Sequence, residues 1–592
     1  MRLADALVTV LRDLDTRYVF GVSGANIEHV HDAIERLGHG RLTSVLAKRE
    51  DGAAFMADAR ARVHRTLGVC CSTSGGGMMN LVAGLAESHA ESVPVLALVG
   101  QPPTALDGHG SFQDSSGTGR TVDALPMLRS VTKKTVRLTE SDGFWDRLRD
   151  AITTSLSGRK GPVALLLPRD SYELDVGERP FDWPTDISAF IDPEPVDVEA
   201  VSALFERLRN ASAPVLLLGH GVRRSCDPEA VRVFAERARI PVVTTMGARG
   251  EFPNDSPLYL GVVGEGGHPS AAAYVEKSDF VLAVGTGLAL MTRRALPGWD
   301  ASKAGAVNID PGELERSSLA DILVRGDAGR VFQLLERLRS ADPFTAPPVT
   351  GYELTRFLPR PAPPVPGRTG TAGGDALVQS EAVQMVQEYL PHAGHLLYDA
   401  GNCSVASMHY GSVPPGSTST IALGMGGMGY SIAAAIGAQL GSRPGTRTVV
   451  FCGDGAFLMS GLEIHTAVEL GLPILYVVFN NGMHGMCATR QQKFFDSRIT
   501  TVDYTPVDAH MVARGLGTGD RLWVASAGTP GELARRLDEY QLNCHLPGVL
   551  ELRLPVEEVP PFASFLPADE PTVSVPRPRQ PVVSYEMTGS AI

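Results

Sequence analysis

Short, wholly apolar runs that precede helical segments recur in three blocks of this chain of 592 residues. The first block contains TLGVCCST, VPVLALVG and GPVALLLP, and the second contains APVLLLGHG, IPVVTTMG and FVLAVGTG. The third contains HLLYDA, RTVVFCGDG, PILYVVFN and GVLELRLP. Strands that are apolar on both faces are buried on both faces, as in parallel sheets covered by helices on each side. The pattern predicts an α/β protein with three doubly wound parallel-sheet domains.

The domain boundaries follow changes in composition. We expect one domain at residues 1–180, a central Rossmann-like domain at 195–340 and a third domain at 376–565. Residues 341–375 are rich in proline and glycine, which predicts an extended linker between the second and third domains. Residues 566–592 are predicted to form a tail that is loose or laid over the surface.

Composition and charge exclude several classes of function. The net charge is −13 and the charges are interspersed, which argues against a nucleic-acid partner. Seven cysteines without metal-binding spacing indicate neither zinc nor a disulfide framework. The N-terminus, MRLADALVTVLRDL, reads as an amphipathic helix, not as a signal peptide, and no apolar run is long enough to span a membrane. We therefore expect a cytoplasmic protein without a membrane partner.

Polar residues follow two successive strands of the third block. Gly453, Asp454 and Gly455 end one strand, and Asn480 and Asn481 follow the next, after 24 intervening residues. Both groups are expected at the carboxyl edge of one sheet, where α/β folds bind ligands. The Asp454 carboxylate and the Asn481 amide are oxygen donors suited to Mg²⁺, and a helix N-terminus beside glycines suits phosphate. Either motif alone is also a common turn, but the pair predicts a metal-diphosphate site.

The spacing of this pair resembles the thiamine diphosphate motif, GDG followed by about two dozen residues and NN. The chain as a whole is similar to the thiamine diphosphate-dependent enzymes, and within them to the acetohydroxyacid (acetolactate) synthases and pyruvate oxidases. The resemblance implies pyrimidine-binding, central and diphosphate-binding domains, with thiamine diphosphate and Mg²⁺ as cofactors. It also implies a homodimer or homotetramer, in which Glu50 of one chain serves the cofactor held by another. The implied metal ligands are Asp454, Asn481 and the backbone carbonyl of Met483.

Glu50 lies in LAKREDGAAFMADARARV, at the start of an alanine-rich helix. An acid there is favoured by the helix dipole without any further role. The resemblance implies instead that Glu50 hydrogen-bonds the aminopyrimidine ring of the cofactor, because a shielded carboxyl can share a proton with that ring. Gly24 in GVSGAN and Asn80 in TSGGGMMN match cofactor-binding segments of the family, although Ser23 and Gly76 stand where proline is usual.

Two further segments resemble parts of the family's cofactor site. In ALGMGGMGYSIAAAIGAQL, Met428 falls on the apolar wedge under the cofactor and Gly426 on a carbonyl that holds its amino group; core packing is the alternative for Met428. In DAGNCSVASM, Cys403 is expected to line the diphosphate loop, since no local base would activate it as a nucleophile. The expected cofactor-binding residues are Gly24, Asn80, Asn402, Cys403, Ser404, Gly426, Met428, Gly453, Asp454, Gly455, Ala456, Asn481, Met483, His484, Gly485 and Met486.

The acetohydroxyacid synthases give the nearest resemblance. Gln113 in GSFQDSS matches their AFQE glutamine and joins Glu50 and Met428 as an expected catalytic residue. GMCATRQQKFFDSR aligns with their GMVxQWQxxFYxxR, so Arg490 replaces the tryptophan that shapes the acceptor pocket. Arginine can hold a carboxylate or phosphate bidentately, or it can simply face solvent. Further substrate-binding candidates are Phe112 and His109.

The flavin segment FDDR of the synthases is replaced here by GTGLALMTRR, with Ala289 and Leu290 at the acidic positions, which argues against FAD. We predict a carboligase that decarboxylates a 2-keto acid, with pyruvate as the expected donor, and transfers the acyl unit to a carbonyl acceptor. The alternatives are a non-ligating decarboxylase, with His109 and His484 as candidate histidines, a flavin-dependent oxidase, and a non-catalytic Rossmann binding protein.

Overall fold

The computed structural model of the chain describes residues 1–192, 195–349, 352–363, 365, 375–517, 519–555, 557–567 and 570–575. These residues form three domains, each built on a six-stranded sheet whose strand pairs are all parallel. Helices cover the sheets, which confirms the predicted α/β class. Among the described residues, none of the helices combines the length and the apolar character needed to cross a membrane.

The strands of the first domain are β1 (Tyr18–Gly21), β2 (Thr43–Leu46), β3 (Gly68–Ser72), β4 (Val95–Gln101), β5 (Lys134–Arg137) and β6 (Val163–Pro168). Its helices are α1 (Leu3–Asp13), α2 (Glu28–Leu37), α3 (Glu50–His64), α4 (Gly76–Ala90), α5 (Ala124–Arg129) and α6 (Phe144–Leu156), with short 3₁₀ turns at Thr104–Leu106, Arg169–Glu173 and Ile187–Phe190. The strand order is β2-β1-β3-β4-β6-β5. Strands β3, β4 and β6 are buried along their whole length, as their apolar sequences predict.

The strands of the central domain are β7 (Pro214–Leu218), β8 (Val242–Thr245), β9 (Tyr259–Val263), β10 (Phe280–Val284), β11 (Ala304–Asn308) and β12 (Ile322–Arg325). Its helices are α7 (Val198–Asn210), α8 (Pro228–Ala238), α9 (Pro269–Lys277), α10 (Leu290–Arg293), α11 (Gly312–Arg316) and α12 (Ala328–Ala341), with 3₁₀ turns at Met246–Ala248 and Ala301–Lys303. The order β12-β11-β10-β7-β8-β9 places a topological switch point between β7 and β10, as in dinucleotide-binding folds.

The strands of the third domain are β14 (His395–Tyr398), β15 (Thr418–Ile421), β16 (Thr448–Gly453), β17 (Ile474–Asn480), β18 (Trp523–Ala527) and β19 (Gly548–Arg553). Its helices are α13 (Gln379–Gln387), α14 (Asn402–Tyr410), α15 (Tyr430–Gln439), α16 (Asp454–Ser460), α17 (Ile464–Glu469), α18 (Gly485–Phe494), α19 (Ala509–Arg514) and α20 (Pro530–Asn543), with 3₁₀ turns at Gly461–Glu463 and Gly519–Arg521. The order β15-β14-β16-β17-β19-β18 repeats the topology of the first domain.

The expected linker and tail meet in a small sheet. Strand β13 (Thr355–Phe357) pairs antiparallel with β20 (Thr572–Ser574). The described part of the tail is therefore laid on the chain between the second and third domains. Linker residues 350, 351, 364 and 366–374 lie outside the described residues, as do tail residues 568, 569 and 576–592.

Helices α3 and α15 join the first and third domains, and both are rich in alanine and buried. A side chain at Gly437 of α15 would place its Cβ 1.9 Å from the backbone oxygen of Met56 in α3. The rings of Phe55 and Tyr430 pack edge to face beside this crossing, with centroids 5.2 Å apart. Small residues therefore set the distance between the two domains.

We expect Gly437→Ala to destabilise the protein by about 1–3 kcal/mol, because the methyl group forces the α3–α15 contact apart. Thermal unfolding of the purified variant, measured by circular dichroism, tests this. Gly531→Ala in α20 is the matched control, since an added Cβ there meets no atom of the described residues within 4 Å. An unchanged unfolding midpoint for Gly437→Ala would contradict the close packing.

Candidate active site

The predicted metal ligands meet at the carboxyl edge of the third sheet. Asp454 begins α16 directly after β16, and Asn481 follows the neighbouring strand β17. The backbone N–H groups of Gly455 and Gly482 donate to the two Asp454 carboxylate oxygens at 3.0 and 2.7 Å. The Met483 N–H donates to Asn481 Oδ1 at 3.1 Å. The structure thus brings the carboxylate and the amide together, as the motif spacing predicts.

The Asp454 carboxylate is 3% exposed. Burial raises the pKa of its carboxyl, while hydrogen bonds from Tyr504 and from the N–H groups of Gly482 and Gly455 oppose that rise. A buried carboxylate costs free energy unless a positive charge compensates it. A divalent cation at this edge would supply that charge.

The donor set suits Mg²⁺ bound together with a phosphate. Within the described parts of the chain, no group of three His, Cys, Asp or Glu side chains is placed to hold a metal. Mg²⁺ takes one or two carboxylates and completes its octahedron with phosphate oxygens and water. The Met483 carbonyl accepts the Gly485 N–H at 3.0 Å and keeps a second lone pair for a metal.

Helix α14 points its N-terminus at the same edge. It starts after Gly401, whose φ of +140° favours glycine, and Asn402, Cys403 and Ser404 are buried in its first turn. Asn402 is 5% exposed, and its Oδ1 atom has no hydrogen-bond partner among the described residues. A buried polar atom without a partner costs free energy, so a polar ligand is the fitting neighbour. The N–H groups at the start of a helix suit a diphosphate.

The Cys403 thiol is not a nucleophile in this setting. Burial raises its pKa to about 12, so the thiol stays protonated. Its sulfur lies 3.8 Å from the Ser404 hydroxyl oxygen. This agrees with its expected role as a lining residue.

Met428, His484 and Gly455 converge beside the metal ligands. A Cβ on Gly455 would lie 2.9 Å from Met428 Cε and 2.8 Å from His484 Nδ1, so a larger residue there would push these side chains away. Gly426 has a φ of +66° and is exposed, which leaves its backbone accessible. Met428 is partly buried and contacts the core, so its geometry suits both the wedge and the packing interpretation.

Asp399 was missed by sequence reasoning, although it begins the quoted segment DAGNCSVASM. Its buried carboxylate accepts hydrogen bonds from the N–H groups of Gly429 and Ser431, at 2.8 and 2.9 Å, and from the Ser431 hydroxyl. Burial raises the pKa of Asp399, and these hydrogen bonds oppose the rise. The carboxylate ties the end of β14 to the residues that follow Met428. An acid at the end of a buried strand was the available signal.

Glu557 was also missed, and no motif pointed to it. The side-chain amide of Asn481 donates to Glu557 Oε1, and that of Asn402 donates to Oε2 at 3.2 Å. Burial raises the pKa of the Glu557 carboxyl, and these two bonds oppose the rise. A second carboxylate therefore lies directly behind the expected metal and diphosphate residues.

The first domain carries a second polar cluster. Glu50 is 9% exposed at the start of α3, and Asn80 Nδ2 donates to its Oε2 at 2.8 Å. A Cβ on Gly77 would lie 2.8 Å from Glu50 Oε1, so glycine leaves that oxygen room. Gly24 packs tightly against Thr73, because a Cβ added to Gly24 would lie 2.7 Å from Thr73 Cβ.

Gln113 lies in the same cluster with an unusual backbone. Its φ is +62°, a costly conformation for a residue with a side chain. Asn26 Nδ2 donates to Ser74 Oγ at 2.7 Å, and that hydroxyl donates to Gln113 Oε1 at 3.3 Å. The Gln113 amide is thereby oriented from inside the domain.

The three substrate-binding candidates lie at the surface of the single chain. Phe112 is 86% exposed, His109 is exposed in the same loop, and Arg490 is exposed on α18. Their contribution to a substrate pocket stays a prediction. Of the remaining expected residues, Ala456 is buried in α16 and Met486 faces the large cavity described next.

A cavity of about 770 Å³ runs from the central sheet to the third domain. It touches loops after all six central strands, including Gly221, Gly285 and Asp310, and reaches Ser404 and Gly426. Its volume is that of a site for a ligand of cofactor size. Ala289, at one of the positions where the synthases carry an acid, lines this cavity.

Three sequence models of one family match the chain. Residues 1–119 match the N-terminal TPP binding domain of thiamine pyrophosphate enzymes. Residues 201–337 match their central domain, and residues 399–551 match their C-terminal TPP binding domain. Each matched segment lies within a different one of the three domains described above, and the central match contains all six strands of its sheet.

Curated relatives match over most of the chain. The acetolactate synthase large subunit of Parasynechococcus marenigrum is 31% identical over 84% of this chain and 79% of its own length. The acetolactate synthase of Mycobacterium leprae is 30% identical over 84% of this chain and 78% of its own length. The acetolactate synthase isozyme 2 large subunit of Escherichia coli is 29% identical over 87% and 90% of the two chains.

Proposed function

Because the chain belongs to the thiamine pyrophosphate-dependent enzyme family, we propose that it is an acetolactate synthase-like carboligase. It decarboxylates a 2-keto acid, with pyruvate as the expected donor, and transfers the acyl unit to a carbonyl acceptor. The observation that carries the proposal is the buried Asp454 carboxylate beside Asn481 at the sheet edge, where the N-terminus of α14 also points.

In this proposal Asp454, Asn481 and the Met483 carbonyl hold Mg²⁺, and the first turn of α14 binds the diphosphate. When bound, thiamine diphosphate supplies a carbon nucleophile for the keto group and accepts the electron pair released as carbon dioxide leaves. Met428 would support the bound cofactor, and the exposed backbone at Gly426 would offer its carbonyl to the cofactor's amino group.

Glu50 holds the proton that the aminopyrimidine ring needs. Asn80 donates a hydrogen bond to Glu50 Oε2, and Gly77 leaves space beside Oε1. The Oε1 atom is therefore available to the aminopyrimidine ring. Gln113, oriented through Ser74, is the adjacent polar group available to a substrate.

We propose that the active unit contains two copies of the chain, with each site formed by Glu50 of one copy and Asp454 of the other. Large apolar side chains are exposed beside both polar clusters. Beside Glu50 these are Met79 and Phe112, and in the third domain they include Met425, Leu458, Met459 and Leu462. Exposed apolar surface of this kind marks protein interfaces. It supports a homodimer as the minimum unit, and a tetramer contains the same pair.

The reaction is tested by incubating the protein with thiamine diphosphate, Mg²⁺ and a panel of 2-keto acids. Carbon dioxide and ligated product are followed with and without carbonyl acceptors. Carbon dioxide with a ligated product supports the carboligase. Carbon dioxide without any ligated product would favour the decarboxylase alternative, and release of neither would contradict the proposal.

A flavin-dependent oxidase is the second candidate, and the cavity over the central sheet is the observation that favours it. The loss of the acidic residues at Ala289 and Leu290 argues against FAD. We therefore expect purified protein to lack a flavin absorbance band. A stoichiometric flavin band, with oxygen uptake during turnover, would reverse this choice.

Arg490 is proposed to contact an anionic group of the acceptor. We expect Arg490→Trp to lower kcat/KM for such an acceptor by about 10–100-fold, because a bidentate charged contact contributes roughly 1.5–3 kcal/mol. Carbon dioxide release from the donor alone should change little. Arg498→Trp is the control, since Arg498 lies beyond α18 and pairs with Asp496. Unchanged acceptor preference in Arg490→Trp would contradict the assignment.

A further inference from the structure

We propose that Glu557 is a positioning residue for the metal-diphosphate site, which itself rests on the function proposed above. Its carboxylate holds the NH₂ groups of Asn481 and Asn402, so that the oxygen of each amide faces the cofactor. Sequence motifs did not indicate this role, because Glu557 follows β19 and lies 76 residues beyond Asn481.

Each oxygen of the Glu557 carboxylate accepts a hydrogen bond from a different asparagine. Asn481 Nδ2 donates to Oε1, and Asn402 Nδ2 donates to Oε2 at 3.2 Å. A carboxylate only accepts hydrogen bonds, and an amide donates only through its NH₂ group. The pairing with Glu557 therefore fixes which side of each amide carries the NH₂ group and which side carries the oxygen.

The other end of each amide agrees with this orientation. Asn481 Oδ1 points to the Met483 N–H, on the side of the expected metal ligands. Asn402 Oδ1, in the first turn of α14, is buried and has no hydrogen-bond partner within the part of the chain that the structure describes. Metal ligands depend on such supporting partners for their orientation.

The backbone at Gly485 packs against the cluster formed by Glu557, Asn481 and Asn402. A Cβ on Gly485 would lie 2.8 Å from Asn481 Nδ2, 3.0 Å from Glu557 Oε2 and 3.1 Å from Asn402 Nδ2. The backbone at Gly485 therefore lies against all three groups, and a side chain there would shift Asn481 Nδ2 and crowd the other two.

The backbone of Glu557 is fixed as well. Its carbonyl accepts the Ala362 N–H at 2.8 Å, which ties it to the chain before the third domain. The next residue, Glu558, accepts the Ser380 N–H and hydroxyl at 2.6 and 2.7 Å. A carboxylate on a fixed backbone can impose its geometry on two side chains.

The test is Glu557→Gln in the full-length protein, with Mg²⁺ binding measured by titration calorimetry in the presence of saturating thiamine diphosphate. We expect Mg²⁺ affinity to fall about 10–100-fold, as for other partners of metal ligands. Glu558→Gln is the matched control, an adjacent buried glutamate that contacts Ser380 instead. It should lower the thermal midpoint and leave Mg²⁺ affinity unchanged.

Wild-type affinity in Glu557→Gln, or equal losses in both variants, would overturn the positioning role while leaving the proposed function intact. Wild-type protein that binds neither Mg²⁺ nor thiamine diphosphate would overturn the proposed function and this role with it. Should Glu557→Gln not fold, Gly485→Ala is titrated in its place, because it displaces the same groups without removing a charge. Unchanged Mg²⁺ affinity in that variant would likewise overturn the role.

Discussion

Replacing Glu50 by glutamine is expected to lower turnover of the 2-keto acid by about 10²–10⁴-fold, the range supplied by a positioned acid–base group. Glutamine keeps the size of the side chain and can still pair with Asn80, but it cannot hand over a proton. Cofactor affinity should stay close to that of the wild type, because the diphosphate and metal residues belong to another domain.

Steady-state carbon dioxide release and fluorescence titration with thiamine diphosphate separate the two effects. Asp51→Asn is the control, since Asp51 occupies the next position of α3 and pairs with Arg49 at the surface. Its turnover should match the wild type. Normal turnover in Glu50→Gln would show that this carboxyl does not serve the reaction.

The second large effect is expected for Asp454→Asn. Losing the only carboxylate among the expected metal ligands should weaken Mg²⁺ binding by more than ~100-fold and abolish turnover, since even partners of ligands contribute about 10–100-fold. In the variant without cofactor a buried charge is removed, but asparagine offers only one oxygen to the N–H groups of Gly455 and Gly482, so the unfolding midpoint of the cofactor-free variant is measured first. The diagnostic change is loss of the rise in thermal midpoint that cofactor binding produces.

Thermal unfolding with and without thiamine diphosphate and Mg²⁺ measures this difference. Asp508→Asn provides a control in the same domain, because Asp508 caps α19 through the Met511 N–H. Asparagine still caps the helix, so both the midpoint and the rise caused by cofactor should stay close to those of the wild type. If the thermal midpoint of Asp454→Asn rose with cofactor as much as that of the wild type, Asp454 would not be a metal ligand.

The fold followed from patterns that act over short distances. Runs such as VPVLALVG and PILYVVF predicted buried strands, and the structure buries β4 along its whole length and β17 except for Asn480 at its end. The spacing of Asp454 and Asn481 predicted neighbouring strand ends because adjacent parallel strands deliver their carboxyl ends to one edge. These inferences needed no knowledge of how the domains pack.

The parts that were missed depend on tertiary contacts. Glu557 lies after β19, the last strand of the third sheet in chain order. Nothing in its local sequence marks it as a site residue. Asp399 reaches the residues after Met428 across 30 and 32 residues. Periodicity and motif spacing carry no signal for such pairs, and the same holds for the pairing of β13 with β20.

The claim that each site is shared between two chains is tested most directly by complementation. Glu50→Gln and Asp454→Asn chains are co-expressed with different tags, and the mixed dimer is isolated through both tags. One of its two sites then has an intact Glu50 and an intact Asp454, so about half of the wild-type turnover per dimer is predicted. A mixed dimer as inactive as either parent would contradict the shared site and place both residues within one chain.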